Sequence, residues 1–266
     1  MYHFEELIKV ALSPALALLI VITIALVEKW FGPTVGGLLQ GTPIVAFPVM
    51  LYLSLSQPAE FFSDAAVYAV AGVFPFQASL LVFVTVRKRS TAVVVGLAIL
   101  VWVSCAIGMS LVGPIVGVTV AMASFPVIWL KARRVCRRSD VLSSVHEIIS
   151  PRLSARAGIA FVVVFAISLF SRMLDSGWTG LAIMFPTTSI ILLSFNHAGG
   201  GYPRVIRSFT GINTTVIALA MFLLCCAIFC RSLPSVAAVF LALLTSLAFT
   251  AVIVVYSRRR TTVSAR

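Results

Sequence analysis

The chain has 266 residues, 61% of them apolar and 11% charged, with a net charge of +12, a pI near 10.3 and a mean hydropathy of +1.11. Soluble domains carry about 25% charged residues, so this composition excludes a water-facing globule and predicts an integral membrane protein. A pI this high would suggest nucleic acid in a soluble chain, but no basic stripe interleaved with aromatics runs along a polar face, and no nucleic-acid partner is expected.

A hydrocarbon core of about 30 Å needs about 20 apolar residues in a helix. About nine segments qualify, within a range of eight to ten. The first, Leu7–Val27, opens within MYHFEELIK, residues 1–9, which lacks a basic start, and no small-residue cleavage site follows, so the segment is expected to stay in the protein. Val35–Leu55 reads as a broken helix, because Gly36, Gly37, Gly41, Pro43 and Pro48 crowd it and Gly32 precedes it. Ala65–Val86 is the third span. From Thr91 to Leu130 the chain stays apolar, and as one helix it would measure about 60 Å. It must turn, and Gly113-Pro114 marks the place, giving Thr91–Leu111 and Ile115–Leu130. Within Ser139–Ser150, Val141, Leu142, Val145, Ile148 and Ile149 share one helical face between flanking arginines, as expected of an amphipathic connector on an anionic leaflet. Ala157–Met173, Trp178–Phe195 with Pro186 at its middle, Ile206–Cys230 and Val236–Tyr256 complete the set. The predicted organisation is a first membrane half at 1–135, a connector at 136–155 and a second half at 156–266.

Basic residues give the expected orientation. With the N-terminus outside, alternate loops on the inner side collect Lys29, the Arg87–Arg89 cluster, the Lys131–Arg156 group, Arg204, Arg207 and the C-terminal arginines. Only Lys9, Arg172 and Arg231 of the 20 basic residues fall outside. The positive-inside rule then predicts a multi-pass protein of a bacterial-type inner membrane with its C-terminus in the cytoplasm.

The two halves echo one another. FPVMLYLSLS at 47–56 and FPTTSIILLS at 185–194 share an FP opening and an L-S ending at an offset of 138. Spans one to four and six to nine are separated by similar intervals, and five spans in the first half reverse the sense of the second. The predicted fold is therefore an all-α membrane protein of two inverted pseudo-repeats, each contributing one broken Gly/Pro-rich helix. The alternative is that these glycines only permit close packing and the prolines are ordinary kinks.

Polar groups at membrane depth nominate a site. Proline leaves a helix carbonyl free, and a free carbonyl inside a bilayer needs protein or a water-lined cavity to receive it. Gln40 and Thr42 in span two, Thr187, Thr188 and Ser189 after Pro186, Gln77 in span three, and Asn213 and Thr214 in span eight are candidate substrate contacts. Gln77 and Asn213 would face each other across the halves; alternatively they only bond neighbouring helices. In NHAGGGYPRVIR, the glycines with His197, Arg204 and Arg207 could receive an anionic group, or form a turn bearing positive-inside arginines. The Walker lysine and its Ser/Thr are missing. All eight acids lie in tails, loops or span ends, so coupling through a midplane carboxylate is not expected. Asp64, which opens span three, reads as an interfacial N-cap or as an acid turned inward. Cys226 and Cys230, spaced i, i+4, suit a soft metal or serve as apolar filler; neither metal nor cofactor is expected.

On these glycine/proline-rich paired segments, the chain resembles poorly characterised polytopic bacterial inner-membrane proteins of the inverted-repeat transporter type. The expectation is a small secondary transporter or exporter of an anionic or amphipathic solute. The alternatives are a non-transporting assembly or anchoring subunit, and a flippase for lipid or isoprenoid carriers. No enzyme activity is expected, since His3, His146 and His197 all lie outside the spans. Membrane lipids and a small-molecule substrate are the expected partners, and a homo-oligomer is compatible with the chain.

Overall fold

A computed structural model describes residues 19–20, 22–86, 89–138 and 174–263. Most of the predicted first span, the predicted connector at 136–155 apart from its first three residues, which end α7, and the predicted sixth span lie outside the described residues.

Every regular element among the described residues is a helix. In chain order they are α1 (22–31), α2 (Pro33–Gln40), α3 (Phe47–Ser56), α4 (Ala59–Ala71), α5 (Val73–Thr85), α6 (Thr91–Val112), α7 (Pro114–Arg138), α8 (Ser176–Ile183), α9 (Thr187–Phe229) and α10 (Ser235–Val263). Six helical runs are long and apolar enough to cross a membrane, at Ala59–Thr85, Thr91–Val112, Pro114–Lys131, Ser176–Ala198, Gly201–Phe229 and Ser235–Ile253. The chain is thus compatible with a multi-pass membrane protein.

The breaks follow local chemistry. Gly113, at φ 80°, separates α6 from α7 where the apolar run had to turn. Span two is interrupted at 41–46, before Pro48, which sits in the first turn of α3 where its missing N–H is not needed. Thr42 N, Ala46 N and Phe47 N bond to the carbonyls of Leu39 and Pro43, so the interruption leaves few backbone groups orphaned. Span seven is interrupted at 184–186 and resumes at Thr187, with Pro186 as N-cap. Asp175 starts α8 by accepting from Trp178 N at 2.7 Å. Asp64 does neither of the things its position suggested: it lies exposed inside α4, which begins at Ala59 behind Pro58.

The run at 196–207, expected as a glycine-rich linker, is helical except at Gly201 (φ 68°, ψ −173°). As an unbroken helix, 187–229 would be about 65 Å long, twice a bilayer core. The single left-handed residue lets the chain reverse with almost no loop, a conformation only glycine adopts cheaply.

The hydrophobic core is shared by α3, α4, α5 and both arms of α9. In the most apolar stretches of α4–α5 and of α8 with the first arm of α9, 67% of residues are buried, against 17% in α6 and 22% in both α7 and α10. The broken spans and their partners are therefore central, and α6, α7 and α10 present apolar side chains such as Leu100, Leu111 and Leu244 outward, as lipid-facing helices do.

Candidate functional site

The two interrupted spans meet. Gln40 ends α2 and Ser189 lies in the first turn of α9; Ser189 Oγ donates to Gln40 Oε1 at 3.4 Å. Around this pair Gln40, Gly41, Thr42, Pro43, Met184, Pro186, Thr187 and Thr188 are all buried. Thr42 Oγ1 turns back to Leu39 O at 2.6 Å. The candidate hydroxyls and amide of spans two and seven thus sit at one buried crossing.

What allows the crossing is the near absence of side chains between helices. At Gly41, an added Cβ would collide with Ile212 O and Thr215 Oγ1 and come to 3.0 Å from Val216 N. At Gly180, it would collide with Ala65 O and come to 2.7 Å from Tyr68 Cβ and 2.9 Å from Ala69 N. Small residues let backbones approach closely in lipid, where there is little hydrophobic drive between helices. The two glycines meet the same set of atoms, a carbonyl, a side chain one turn on and the following amide, on helices offset by 147 residues. Aromatic contacts repeat likewise: Phe47 packs edge-on against Phe240 at 5.7 Å, and Phe185 against Trp102 at 4.9 Å, both pairs related by an offset of 138. Trp102 also donates Nε1–H to Met184 O at 3.2 Å, satisfying a carbonyl at the break of span seven. Sequence inspection did not single out Trp102 or Phe240; their equal spacing from Phe47 and Phe185 respectively was the available signal.

A second polar cluster lies on the other side of α9. Gln77 Nε2 donates to Asn213 Oδ1 at 3.3 Å, and Gln77 Oε1 accepts from Ser124 Oγ at 2.9 Å. Gln77 is 2% exposed, while Asn213 is half-buried and its Nδ2 has no partner among the described residues. Counting 1.5 Å per residue from the ends at Thr85 and Gly201, the amides lie about 12 and 18 Å into their spans. Asn213 and Thr215 are two residues apart, roughly 200° around the helix. Thr215 Oγ1 donates to Leu38 O at 2.7 Å on the α2 side, so the second arm of α9 separates the Gln77–Asn213 pair from the Gln40–Ser189 crossing. Thr214 does not join either cluster, since its hydroxyl donates to Thr210 O of its own helix at 2.8 Å.

The remaining candidates stand at one end of the bundle. His197 Nδ1 shares a hydrogen bond with Thr91 Oγ1 at 2.9 Å, and Arg204 and Arg207 are half-buried on the second arm of α9. The same end carries Lys29 and Arg89, and is called the basic end below. Among the described residues no group of three His, Cys, Asp or Glu is placed to hold a metal; Cys230 Sγ donates to Ala227 O. No protein-family model, curated protein or solved structure matches the chain.

Proposed function

We propose that the chain is a small secondary transporter or exporter that moves an anionic or amphipathic solute by alternating access. The two pseudo-repeats are read as inverted in the membrane. The observation that supports this best is the pair of matched contacts: Gly41 on Ile212, Thr215 and Val216, and Gly180 on Ala65, Tyr68 and Ala69. In each case the short arm of a broken span in one half packs on a helix of the other half. Two equivalent hinges of this kind let one half rock against the other around a fixed centre, which is how inverted-repeat carriers expose a site alternately.

The solute would meet donors rather than carboxylates. Asn213 Nδ2 is the unengaged amide, with Gln77 behind it, and Gln40 and Ser189 form the polar pair at the crossing. The 3.3 and 3.4 Å lengths of these pairs are long for hydrogen bonds, so a solute's acceptor can replace Asn213 Oδ1 on Gln77 or Gln40 Oε1 on Ser189 at small cost. With the basic loops inside, the N-terminus would be outside and the C-terminus cytoplasmic.

Purified protein in sealed proteoliposomes tests the proposal, with radiolabelled small mono- and dicarboxylates, phosphate and an amphipathic cationic dye offered as separate solutes. Flux of one class above empty liposomes, reduced at least about tenfold by Asn213→Ala, is the expected result; a factor of ten corresponds to about 1.4 kcal/mol of lost contact. Scrambling of a fluorescent phospholipid with no solute flux would instead favour a flippase, and inactivity toward both would favour an anchoring subunit.

A further inference from the structure

Beside the matched contacts, a polar junction ties one end of the bundle together. Ser208 lies one turn before Ile212 on the second arm of α9; at the offset of 147 that relates Ile212, Thr215 and Val216 to Ala65, Tyr68 and Ala69, its counterpart is Phe61, which has no hydroxyl. Ser208 Oγ accepts from Asn196 Nδ2 at 2.7 Å and donates to Pro33 O at 3.2 Å. Asn196 is 3% exposed, and its Nδ2 also donates to Glu28 Oε1 at 2.9 Å. One buried amide thus joins the last turn of α1, the head of α2 and both arms of α9. Beside it, His197 bonds Thr91 at 2.9 Å and Tyr202 Oη donates to Val84 O at 2.8 Å, fastening the same junction to the α5–α6 turn. At the opposite end, Ser63 Oγ to Ala227 O, at 3.3 Å, joins α4 to α9.

We propose that Glu28, Asn196 and Ser208 form a latch that holds the basic end closed in the resting protein, so that access to the Gln40–Ser189 crossing opens first from the opposite end. The 2.9 Å bond from Asn196 Nδ2 to Glu28 Oε1 links the first half, through Glu28, to the second, through Asn196. With the hinge glycines equivalent at both crossings, a polar knot at one end is enough to bias which side stays shut. The latch rests on reading the two halves as moving parts, but it is tested without any solute.

The experiment places a single cysteine at Gln40→Cys, about 10 Å below the basic end by helix rise, in protein whose five native cysteines are replaced by alanine or serine. A membrane-impermeant methanethiosulfonate is applied to each face of vesicles separately, and labelling rates are compared. Asn196→Ala and Glu28→Ala should raise labelling from the basic end about tenfold, equivalent to about 1.4 kcal/mol of lost closure. Glu28→Gln keeps an acceptor oxygen and should stay within about twofold of the parent, since a twofold change is only about 0.4 kcal/mol. A cysteine at Ser63, at the other end, should label at an unchanged rate in all variants. Equal labelling in parent, Asn196→Ala and Glu28→Ala, or a rise that Glu28→Gln shares, would overturn the latch. If Asn196→Ala does not fold, Ser208→Ala, which removes one hydroxyl, carries the same expectation with a smaller rise. Latch-dependent labelling without solute flux in proteoliposomes would reject the transport proposal and leave the latch standing.

Discussion

Gly41→Ala isolates the close approach on which the crossing depends. Gly41 has φ −85° and ψ 0°, which alanine adopts freely, so the substitution carries no backbone strain and its effect is steric. The new methyl group would collide with Ile212 O and Thr215 Oγ1 and stand 3.0 Å from Val216 N. Carbon contacts settle at about 3.5–4.0 Å, so α2 and the second arm of α9 must part by roughly 1 Å. Overpacking of this kind costs about 1–3 kcal/mol. Parting the helices also weakens the 2.7 Å bond from Thr215 Oγ1 to Leu38 O, adding about 0.6 kcal/mol for an interhelical bond in a membrane. The expected loss is therefore roughly 2–4 kcal/mol, measured as unfolding free energy in mixed micelles by titration with SDS. Gly180→Ala, against Ala65 O and Tyr68, should lose a similar amount. Gly96→Ala and Gly108→Ala, with nothing within 4 Å of the added carbon, should be neutral or gain up to about 1 kcal/mol from helix propensity. If Gly41→Ala proved as stable as Gly96→Ala, the close approach and the hinge built on it would both be refuted.

Two further outcomes follow from the polar clusters. Trp102→Phe keeps an aromatic ring against Phe185 but removes the donor to Met184 O; a loss of about 1 kcal/mol is expected, whereas Phe240→Tyr, whose ring partner Phe47 offers no hydrogen bond, should change stability little, and equal costs for the two would deny the carbonyl-capping role. Ser124→Ala frees one acceptor lone pair on Gln77 without touching Asn213; it should cost about 0.6–1.7 kcal/mol in SDS unfolding and leave solute flux within about twofold. A collapse of flux as large as that of Asn213→Ala would show that the cluster acts as one unit.

Much of the architecture was legible because hydropathy and glycine/proline chemistry act locally. The turn at Gly113-Pro114 had to exist, since no single helix of that length fits a bilayer, and Gly113 supplies the left-handed residue. The interruptions near Pro48 and Pro186 were expected on the same grounds, although only the structure located the first at 41–46. Matching depth also paired Gln77 with Asn213, which the structure joins at 3.3 Å. The linker at 196–207 misled because three glycines suggested a loop; helical hydrogen bonding through Ala198 and beyond needs only one residue, Gly201, to leave the helix.

The sequence by itself determined a set of helices apolar enough to cross a membrane, the breaks between them and the position of each amide along its helix, because these depend on residues near one another along the chain. The tertiary structure alone decided which faces meet: that the second arm of α9 separates the Gln77–Asn213 pair from the Gln40–Ser189 crossing, that Gly41 and Gly180 meet equivalent atoms, and that Glu28 reaches Asn196. A helical period fixes where a side chain points around its own axis, and the identity of the opposing helix is set only when all the faces pack at once.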